Sequence, residues 1–401
     1  MVKNNIDLNK KDLVGINLNR MDLSEKDLSN KDMRYANLHG TNLSNANLRN
    51  SNLTNSNLTG ANLRGTNLNG TILRNVDLNG THLDEVDLVG VDLTNANLTG
   101  ADLSRANLDG ASLYKVNLHG ANLVGAILIG ANLSDTILRR AKLSFSKLAN
   151  ANLTNANLTD ADLREADLAN ANLYGSNLKQ ANLIHTNLEH ANLSHADLTF
   201  SKLNYAILNN ANLYYTNLNY TTLNGANLVH AYLRDANLEY ADLTGTHLID
   251  AELGNANLSH VDLSHADLSE AYLGNVNLTN ARLTNANLTK ADLNEADLTN
   301  ANLEGAKLRE ANLIRANLSY ANLTNAYLEN VNLRNSNLDS ANLTNADLTD
   351  AELGNANLSH ANLSHADLFG ANLINANLRG AILNHTNLKD ADLTGTILEK
   401  E

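Results

Sequence analysis

The chain repeats a five-residue pattern of hydrophobic and polar positions along nearly its whole length. A leucine occupies every fifth position from Leu8 to Leu398, and Met33 is the only substitute. From Ala36 to Thr396, the residue two places before each leucine is Ala, Ser, Thr or Val. Asn or Asp usually stands directly before the leucine. A fixed short period is the signature of a repeat architecture, so we expect a repeat fold throughout.

We name the five positions of each unit, in chain order, the small, polar, leucine, flanking and corner positions. The small residue and the leucine are two apart, so both point to the same face of a short strand. Of the 22 glycines, all except Gly254, Gly274 and Gly354 fall at the corner position, where Asn is the commonest alternative. Both residue types tolerate positive φ, which predicts a bend there. A helix is excluded, because a five-residue period drifts around a 3.6-residue turn.

A short strand and a bend, repeated in one direction, predict a solenoid with leucines and small residues inside. This pattern resembles that of the pentapeptide-repeat family, whose consensus is A(D/N)Lxx, as in ANLTNANLTDADLREADLANANL at 151–173. The resemblance covers essentially the whole chain. It implies an all-β fold, a right-handed quadrilateral parallel β-helix with four pentapeptides per coil. About 20 coils at a spacing of about 4.8 Å would form a rod about 95 Å long.

Polar and charged residues are also arranged with a spacing of twenty. Acidic residues follow basic ones at this spacing, and the set comprises Arg140 with Asp160, Lys142 with Asp162, Lys147 with Asp167, and the alternating series Glu270, Lys290 and Glu310. Asparagines do the same, including Asn37 with Asn57 and the series Asn152, Asn172, Asn192 and Asn212. We expect opposite charges to pair across coils, and amides to hydrogen-bond along the axis as in cross-β ladders.

The two ends of the chain differ from each other. Over residues 1–35 the small position holds residues too large for a tight axis, which predicts irregular repeats or a cap before an uninterrupted β-helix over 36–401. These residues are Ile6, Lys11, Ile16, Met21, Lys26 and Lys31. At the other end the pattern runs to Leu398, and the last coil offers a rim through which a second copy could pair as a homodimer.

A phrase containing Ser, His and Asp occurs twice, at 251–268 and 351–368. The spacing is five whole coils of twenty, so architecture explains the repetition. As outward residues, Ser259, His260 and Asp262 would have no pocket for catalysis. His365 and His385 stand twenty apart, but two ligands do not make a zinc site. We therefore expect no catalytic residue, no cofactor and no metal; with 0 Cys in the chain there is also no disulfide.

Aromatic and basic clusters supply the candidate partner-binding residues. Phe200, Tyr220, Tyr240 and His260 are twenty apart, which predicts a vertical ladder on one edge that either binds a partner or only stacks across coils. The stretch RRAKLSFSK at 139–147 suits an anionic partner or pairing with nearby aspartates. The full candidate set is Phe200, Tyr205, Tyr215, Tyr220, Tyr240, Arg139, Arg140 and Lys142.

Composition narrows the functional classes. A net charge of −14 and a pI near 5.3 argue against direct nucleic-acid binding, which favours basic surfaces. No hydrophobic stretch is long enough to span a membrane, and we expect a cytoplasmic protein. The predicted function is a non-catalytic structural or protein-interaction rod. An enzyme with a surface site is a distant alternative.

The family resemblance implies a sharper alternative, a DNA mimic that binds a type II topoisomerase such as gyrase and protects it from antibiotics. Duplex DNA about 95 Å long carries about 56 charges, whereas this chain has a net charge of only −14. Phenylalanine is absent from the leucine positions, and no loop interrupts the repeat. Both features depart from topoisomerase-binding members of the family.

Overall fold

The computed structural model describes residues 7–397, and the chain divides into two compact units, Met1–Asp197 and Leu198–Glu401. Both units are built in the same way. Within the described residues there is no helix and no strand longer than one residue. From residue 11 onwards each pentapeptide has one β-bridge at its polar position and a turn at its flanking and corner positions. In the first unit the bridges run from Asp12–Asp32 to Asn177–Asp197, and in the second from Lys202–Thr222 to Asn377–Ile397.

The bridges are parallel and join residues that are twenty apart. Twenty residues, or four pentapeptides, therefore separate each residue from the one stacked on it, and we call such a segment a coil. Lys142 bridges to Asp162, and Lys147 bridges to Asp167. This is the spacing that the alternation of charges predicts. Each unit is thus a repeat β-helix whose strands are reduced to single residues.

In a representative pentapeptide, all five backbone N–H groups are hydrogen-bonded. In the segment 151–155, Ala151 donates to Leu148 O at 3.0 Å, which closes the bend. The N–H groups of the polar, leucine and corner residues donate to carbonyl oxygens of the two neighbouring coils at 2.7–2.9 Å. Only the flanking Thr154 remains, and it donates to Asn152 Oδ1 at 3.1 Å. Since every N–H of this pentapeptide has a partner, proline would remove a hydrogen bond at any of its five positions, and the chain contains 0 Pro.

Asn and Asp at the polar position therefore have a role that the sequence analysis missed. Their Oδ1 accepts the N–H two residues later, an Asx turn, and either residue type can do this. The predicted amide ladder is also present, since Asn192 Nδ2 donates to Asn172 Oδ1 at 3.2 Å. It is not continuous, because Asn172 Nδ2 donates to Thr154 Oγ1 instead. The Asx turn uses Oδ1 as an acceptor, and the ladder forms where Nδ2 donates to the Oδ1 of the preceding coil rather than to a neighbouring hydroxyl.

Leucines and small residues form a dry interior in each unit. The leucine position is buried from Leu13 to Leu193 in the first unit and from Leu198 to Leu378 in the second, and most of these side chains have no exposed surface. Where the small residue is Ser or Thr, its hydroxyl commonly donates to a leucine carbonyl, as Ser51 Oγ does to Leu48 O at 2.6 Å. The interior is therefore predominantly aliphatic, as the repeat predicts.

The corner position has left-handed backbone geometry, as its glycines predict. Non-glycine corner residues have φ between 52° and 62°, and they include Asn, Asp, His, Tyr, Glu and Arg. β-Branched residues do not occur among them. A Cβ with a second branch collides with the neighbouring carbonyl in this conformation, so the steric limit excludes Val, Ile and Thr.

A substitution at Asn280, which has φ 57°, tests this limit. We expect Asn280→Val to lower the free energy of unfolding by about 2 kcal/mol, because valine is strained in the left-handed region. Asn280→Gly, the control, should change it by less than about 1 kcal/mol. Denaturation followed by circular dichroism measures both. Equal stability of the two variants would contradict a steric origin for the corner composition.

The described parts of the two chain ends differ in what covers the interior. In the first coil, Ile16 and Met21 are half-buried and Lys26 is exposed at the small position, while Lys31 Nζ donates to Asn9 O at 3.1 Å. Ile6 lies outside the described residues. In the last described coil the leucine position is only half-buried, at Leu383, Leu388 and Leu393. Leu398 and the three residues after it are also outside the described range.

Candidate functional site

Three of the candidate aromatic residues, together with His260, form a stacked series on one edge of the second unit. Phe200 and Tyr220 have ring centroids 4.9 Å apart, Tyr220 and Tyr240 5.1 Å apart, and Tyr240 and His260 4.6 Å apart. Their planes differ by only 7–15°. We call these four residues the aromatic ladder. Its existence confirms the ladder predicted from the twenty-residue spacing.

The local fold explains how the ladder is held. Each member occupies a corner position with φ between 57° and 60°, so the four side chains leave the backbone in the same direction. The coil spacing of about 4.8 Å brings consecutive rings into van der Waals contact. Even so, Phe200, Tyr220 and Tyr240 are 54%, 47% and 44% exposed. The rings are therefore ordered by one another while their outer edges remain available.

The other two aromatic candidates do not join the ladder. Tyr205 lies over Gly225, where an added Cβ would come within 2.7 Å of the ring. Tyr215 packs edge-to-face on Tyr214, with centroids 4.3 Å apart. A hydrogen bond between these two tyrosines is the main reason why the pKa of Tyr214 is raised. The aromatic candidates thus form three separate groups on the second unit.

The basic candidates are partly neutralised by the coil that follows them. Arg140 Nε lies 3.7 Å from Asp160 Oδ2, as the charge spacing predicts. Lys142 is bridged through its backbone to Asp162, but that carboxylate pairs with Arg164 at 2.6 Å. Hydrogen bonds from Arg164 lower the pKa of Asp162, against the opposing effect of its partial burial. Arg139 is exposed.

Ion pairs between stacked corner residues recur elsewhere in the described range. Arg105 Nη1 lies 2.9 Å from Glu85, and Arg315 Nη1 lies 3.1 Å from Glu295. The predicted series containing Glu310 behaves differently, since Glu310 pairs with its chain neighbour Arg309 at 3.7 Å. Exposed pairs of this kind contribute little to stability, but they reduce the excess negative charge on the surface.

The repeated phrase does not bring Ser, His and Asp into a catalytic arrangement in either copy. Ser259 Oγ donates to Asn257 Oδ1, whereas His260 stacks on Tyr240. Asp262 lies 3.8 Å from Arg282. A nucleophile needs a base within hydrogen-bond reach, and here the three side chains have different partners.

The second copy has one arrangement that the sequence analysis did not find. Ser359 Oγ donates to Asp339 Oδ1 at 2.6 Å, and His360 Nδ1 lies 3.1 Å from the same oxygen. These hydrogen bonds lower the pKa of Asp339, and the bond from Ser359 has the largest effect. Serine and histidine both bind the carboxylate rather than each other, so this order differs from that of a catalytic triad. Asp339 lies in the preceding coil, which is why the phrase itself did not reveal it.

The fold defines a class of protein, a repeat β-helix with a predominantly aliphatic interior and charged and aromatic side chains on its outer faces. The family model for pentapeptide repeats (8 copies) matches successive segments from residues 12–50 through 361–399. The chain belongs to the pentapeptide-repeat family. None of the curated proteins compared with this chain matches it.

Several solved structures are similar to the chain. HetL, a pentapeptide repeat protein involved in heterocyst differentiation regulation from the cyanobacterium Nostoc sp. strain PCC 7120, is 28% identical over 70% of this chain and 90% of its own, with a TM-score of 0.21. QnrB1, a plasmid-mediated fluoroquinolone resistance protein, is 21% identical over 39% of this chain and 85% of its own, with a TM-score of 0.31. A pentapeptide repeat protein from the Arabidopsis thaliana thylakoid lumen is 31% identical over 29% of this chain and 66% of its own, with a TM-score of 0.14.

As to membranes, residues 7–397 include no helix that is long and apolar enough to cross a bilayer.

Proposed function

We propose that this protein is a non-catalytic scaffold that binds a protein partner through its outer faces. The observation that carries the proposal is the aromatic ladder, a stacked row of half-exposed rings on one outer edge of the second unit. We further propose the right-handed, quadrilateral form with about 20 coils that the family implies.

Over the described residues the interior is closely packed. Leucines and small residues fill it, and the gaps between the leucines from Leu58 to Leu93 leave no volume for a water molecule. Ligand pockets of enzymes are concave and typically hold several hundred Å³, whereas the described spaces of that size are open grooves on the outer surface, such as one of about 520 Å³ lined by Arg34, Thr54 and Arg74. A scaffold role follows from an interior devoted to packing and an exterior whose residues vary without disturbing it.

Energetic considerations favour the ladder as the anchor for a partner. Interface hot spots are enriched in Tyr and Trp, because a rigid ring buries a large area at little cost in conformational entropy. Stacking has already ordered Phe200, Tyr220 and Tyr240. The flanking residues along this edge are Thr199, Asn219, Glu239 and Ser259, of which only Glu239 is charged. We therefore expect a partner that presents apolar or aromatic side chains in a row.

A pull-down from the native host, followed by affinity measurement with the purified partner, tests the proposal. Tyr220→Ser/Tyr240→Ser should weaken binding at least about tenfold, which corresponds to about 1.4 kcal/mol. Tyr320→Ser is the matched control, because Tyr320 occupies a corner position in the same column, is 62% exposed, and lies outside the ladder. The control should bind like wild type.

Circular dichroism must show that the double variant still folds. Unchanged affinity in a folded Tyr220→Ser/Tyr240→Ser variant would reduce the ladder to stacking between coils. The alternative, topoisomerase-directed DNA mimicry, makes a different prediction. A scaffold with a net charge of −14 should leave gyrase supercoiling unchanged, with or without a quinolone, whereas a mimic should inhibit the enzyme or protect it.

The proposal includes the remaining expectations about organisation. Residues 1–35 would act as a cap, supported by the half-buried Ile16 and Met21 at positions that elsewhere hold small residues. Arg139, Arg140 and Lys142 would form a secondary contact for acidic groups of the partner. A cytoplasmic location and a homodimer through the C-terminal coil stay predictions.

A further inference from the structure

We propose that His82, Asp84 and Asp102 bind a divalent transition-metal ion, with Zn²⁺ as the reference cation. One donor atom from each of the three side chains lies within 4.8 Å of the other two. His82 and Asp102 occupy polar positions of adjacent coils and are joined by a β-bridge. Asp84 is the flanking residue of the pentapeptide that contains His82. Three donors thus converge from two coils on one outer face.

His82 interrupts the amide ladder of its column. On one side Asn62 Nδ2 donates to Asn42 Oδ1 at 3.2 Å, and on the other Asn122 Nδ2 donates to Asp102 Oδ1 at 2.9 Å. An imidazole has no oxygen with which to form the Asx turn that Asn and Asp form at this position. The residue therefore departs from the structural pattern of the repeat, and it does so beside two carboxylates.

The donor set is suited to a borderline metal ion. Imidazole nitrogen and carboxylate oxygen bind Zn²⁺ at about 2.0–2.2 Å, so donors around one tetrahedral ion lie about 3.3 Å apart. The three donor atoms already lie within 4.8 Å of one another, and rotation of these exposed or half-exposed side chains can bring them to the required separation. Three protein ligands leave one position for water. Imidazole selects zinc, copper or nickel over magnesium and calcium, which prefer oxygen ligands.

The surroundings of Asp102 prepare it as a ligand. Ser104 Oγ and Asn122 Nδ2 both donate to Oδ1, at 2.8 and 2.9 Å, which orients the carboxylate and leaves Oδ2 for a cation. Such hydrogen bonds to a ligand carboxylate commonly fix metal sites.

Arg64 is the competing group. Its Nε donates to Asp84 Oδ1 at 2.7 Å, which neutralises part of the charge a cation would need. The ion pair is exposed on the arginine side, and such pairs are weak. A divalent ion bound by three donors can displace the guanidinium or use the second carboxylate oxygen. The arginine should therefore lower the affinity of the site without abolishing it.

The second unit contains a natural comparison. His247 and Asp267 are bridged at polar positions in the same way as His82 and Asp102. Asn287 and Ser269 donate to Asp267 Oδ1 at 2.9 and 2.8 Å, as Asn122 and Ser104 do to Asp102. The flanking residue is Ile249 instead of aspartate. This pair lacks the third donor, and it is not among the described groups that could hold a metal.

Zn²⁺ titration of the full chain against a competing chromophoric chelator tests the site. We expect His82→Asn and Asp84→Ile each to lower the affinity of one Zn²⁺ ion at least tenfold. His82→Asn restores the residue type usual at this position, so folding should be preserved. The matched control His247→Asn should bind Zn²⁺ like wild type, although the chain has 13 His.

The same Zn²⁺ titration can also test whether a metal site can be created. Ile249→Asp should create a second site of the same kind, and its position lacks a competing arginine because Val229 stands where Arg64 stands in the first site. The number of bound ions should rise by one. Equal Zn²⁺ binding by wild type and His82→Asn would overturn the proposal. So would an Ile249→Asp variant that folds but binds no additional ion.

Discussion

Replacing Leu288 with alanine should lower the free energy of unfolding by about 2–5 kcal/mol. Leu288 has no exposed surface, and it is stacked between the leucines one coil before and after it, Leu268 and Leu308. The deletion leaves a cavity whose walls cannot collapse, because the surrounding backbone is fixed by hydrogen bonds to both neighbouring coils. The cost should therefore fall in the upper part of this range.

Leu388→Ala is the control for Leu288→Ala. Leu388 has the same position in its pentapeptide but is only half-buried in the last described coil, so the loss should be less than about 1.5 kcal/mol. Long repeat arrays need not unfold in one step. Hydrogen exchange of the amides around each site should therefore accompany chemical denaturation. Equal losses for the two variants would contradict a core whose energy comes from stacked, enclosed leucines.

A lysine in the middle of the interior should be more damaging still. Ala286 is fully buried at the small position, where the described groups around the axis are aliphatic side chains and backbone. We expect Ala286→Lys to cost on the order of 5 kcal/mol or more, since a buried charge without a partner is among the most destabilising substitutions. The neighbouring coils should lose hydrogen-exchange protection, while distant coils keep it, because contacts in a solenoid are local.

Two control substitutions test the prediction for Ala286→Lys. Lys26 occupies the small position in the first coil and is exposed, so Lys26→Ala should change stability by no more than about 0.5 kcal/mol. Ala286→Ser, the second control, introduces a residue that the small position accepts elsewhere, as at Ser51. If Ala286→Lys were as stable as Ala286→Ser, the interior would have to be wetter than the burial of its leucines indicates.

Much of the fold can be predicted because one short period controls it. The leucine at every fifth position predicts the buried axis, and glycine and asparagine at the corner predict the left-handed bend; both are confirmed. Charges at Arg140 and Asp160 predict a stacking distance of twenty residues, and the bridges confirm it. The same spacing predicts the ring stacking of Phe200, Tyr220 and Tyr240. These features are periodic, so the sequence shows them directly.

The groups of side chains that the sequence pattern did not predict involve residues two apart in the chain, or combine that separation with one of about twenty residues. The Asx turn joins the polar and flanking positions two residues apart, and it accounts for Asn and Asp better than the amide ladder alone. The cluster of His82, Asp84 and Asp102 combines a spacing of two with one of twenty. Asp339 joins Ser359 and His360 in a similar way. A search for histidines at one spacing cannot find such groups.

By itself, the sequence determined the periodic part of this protein: a dry leucine axis, a left-handed corner in each pentapeptide and outward polar positions. It could do so because each of these depends on contacts that recur with the repeat. Only the tertiary structure decided which outward side chains meet. Rotamers and competing partners settle whether Asp162 pairs with Lys142 or Arg164, and whether Tyr215 joins the ladder or packs on Tyr214. Such choices depend on distances of a few ångströms on the surface, where the five-residue pattern places no constraint.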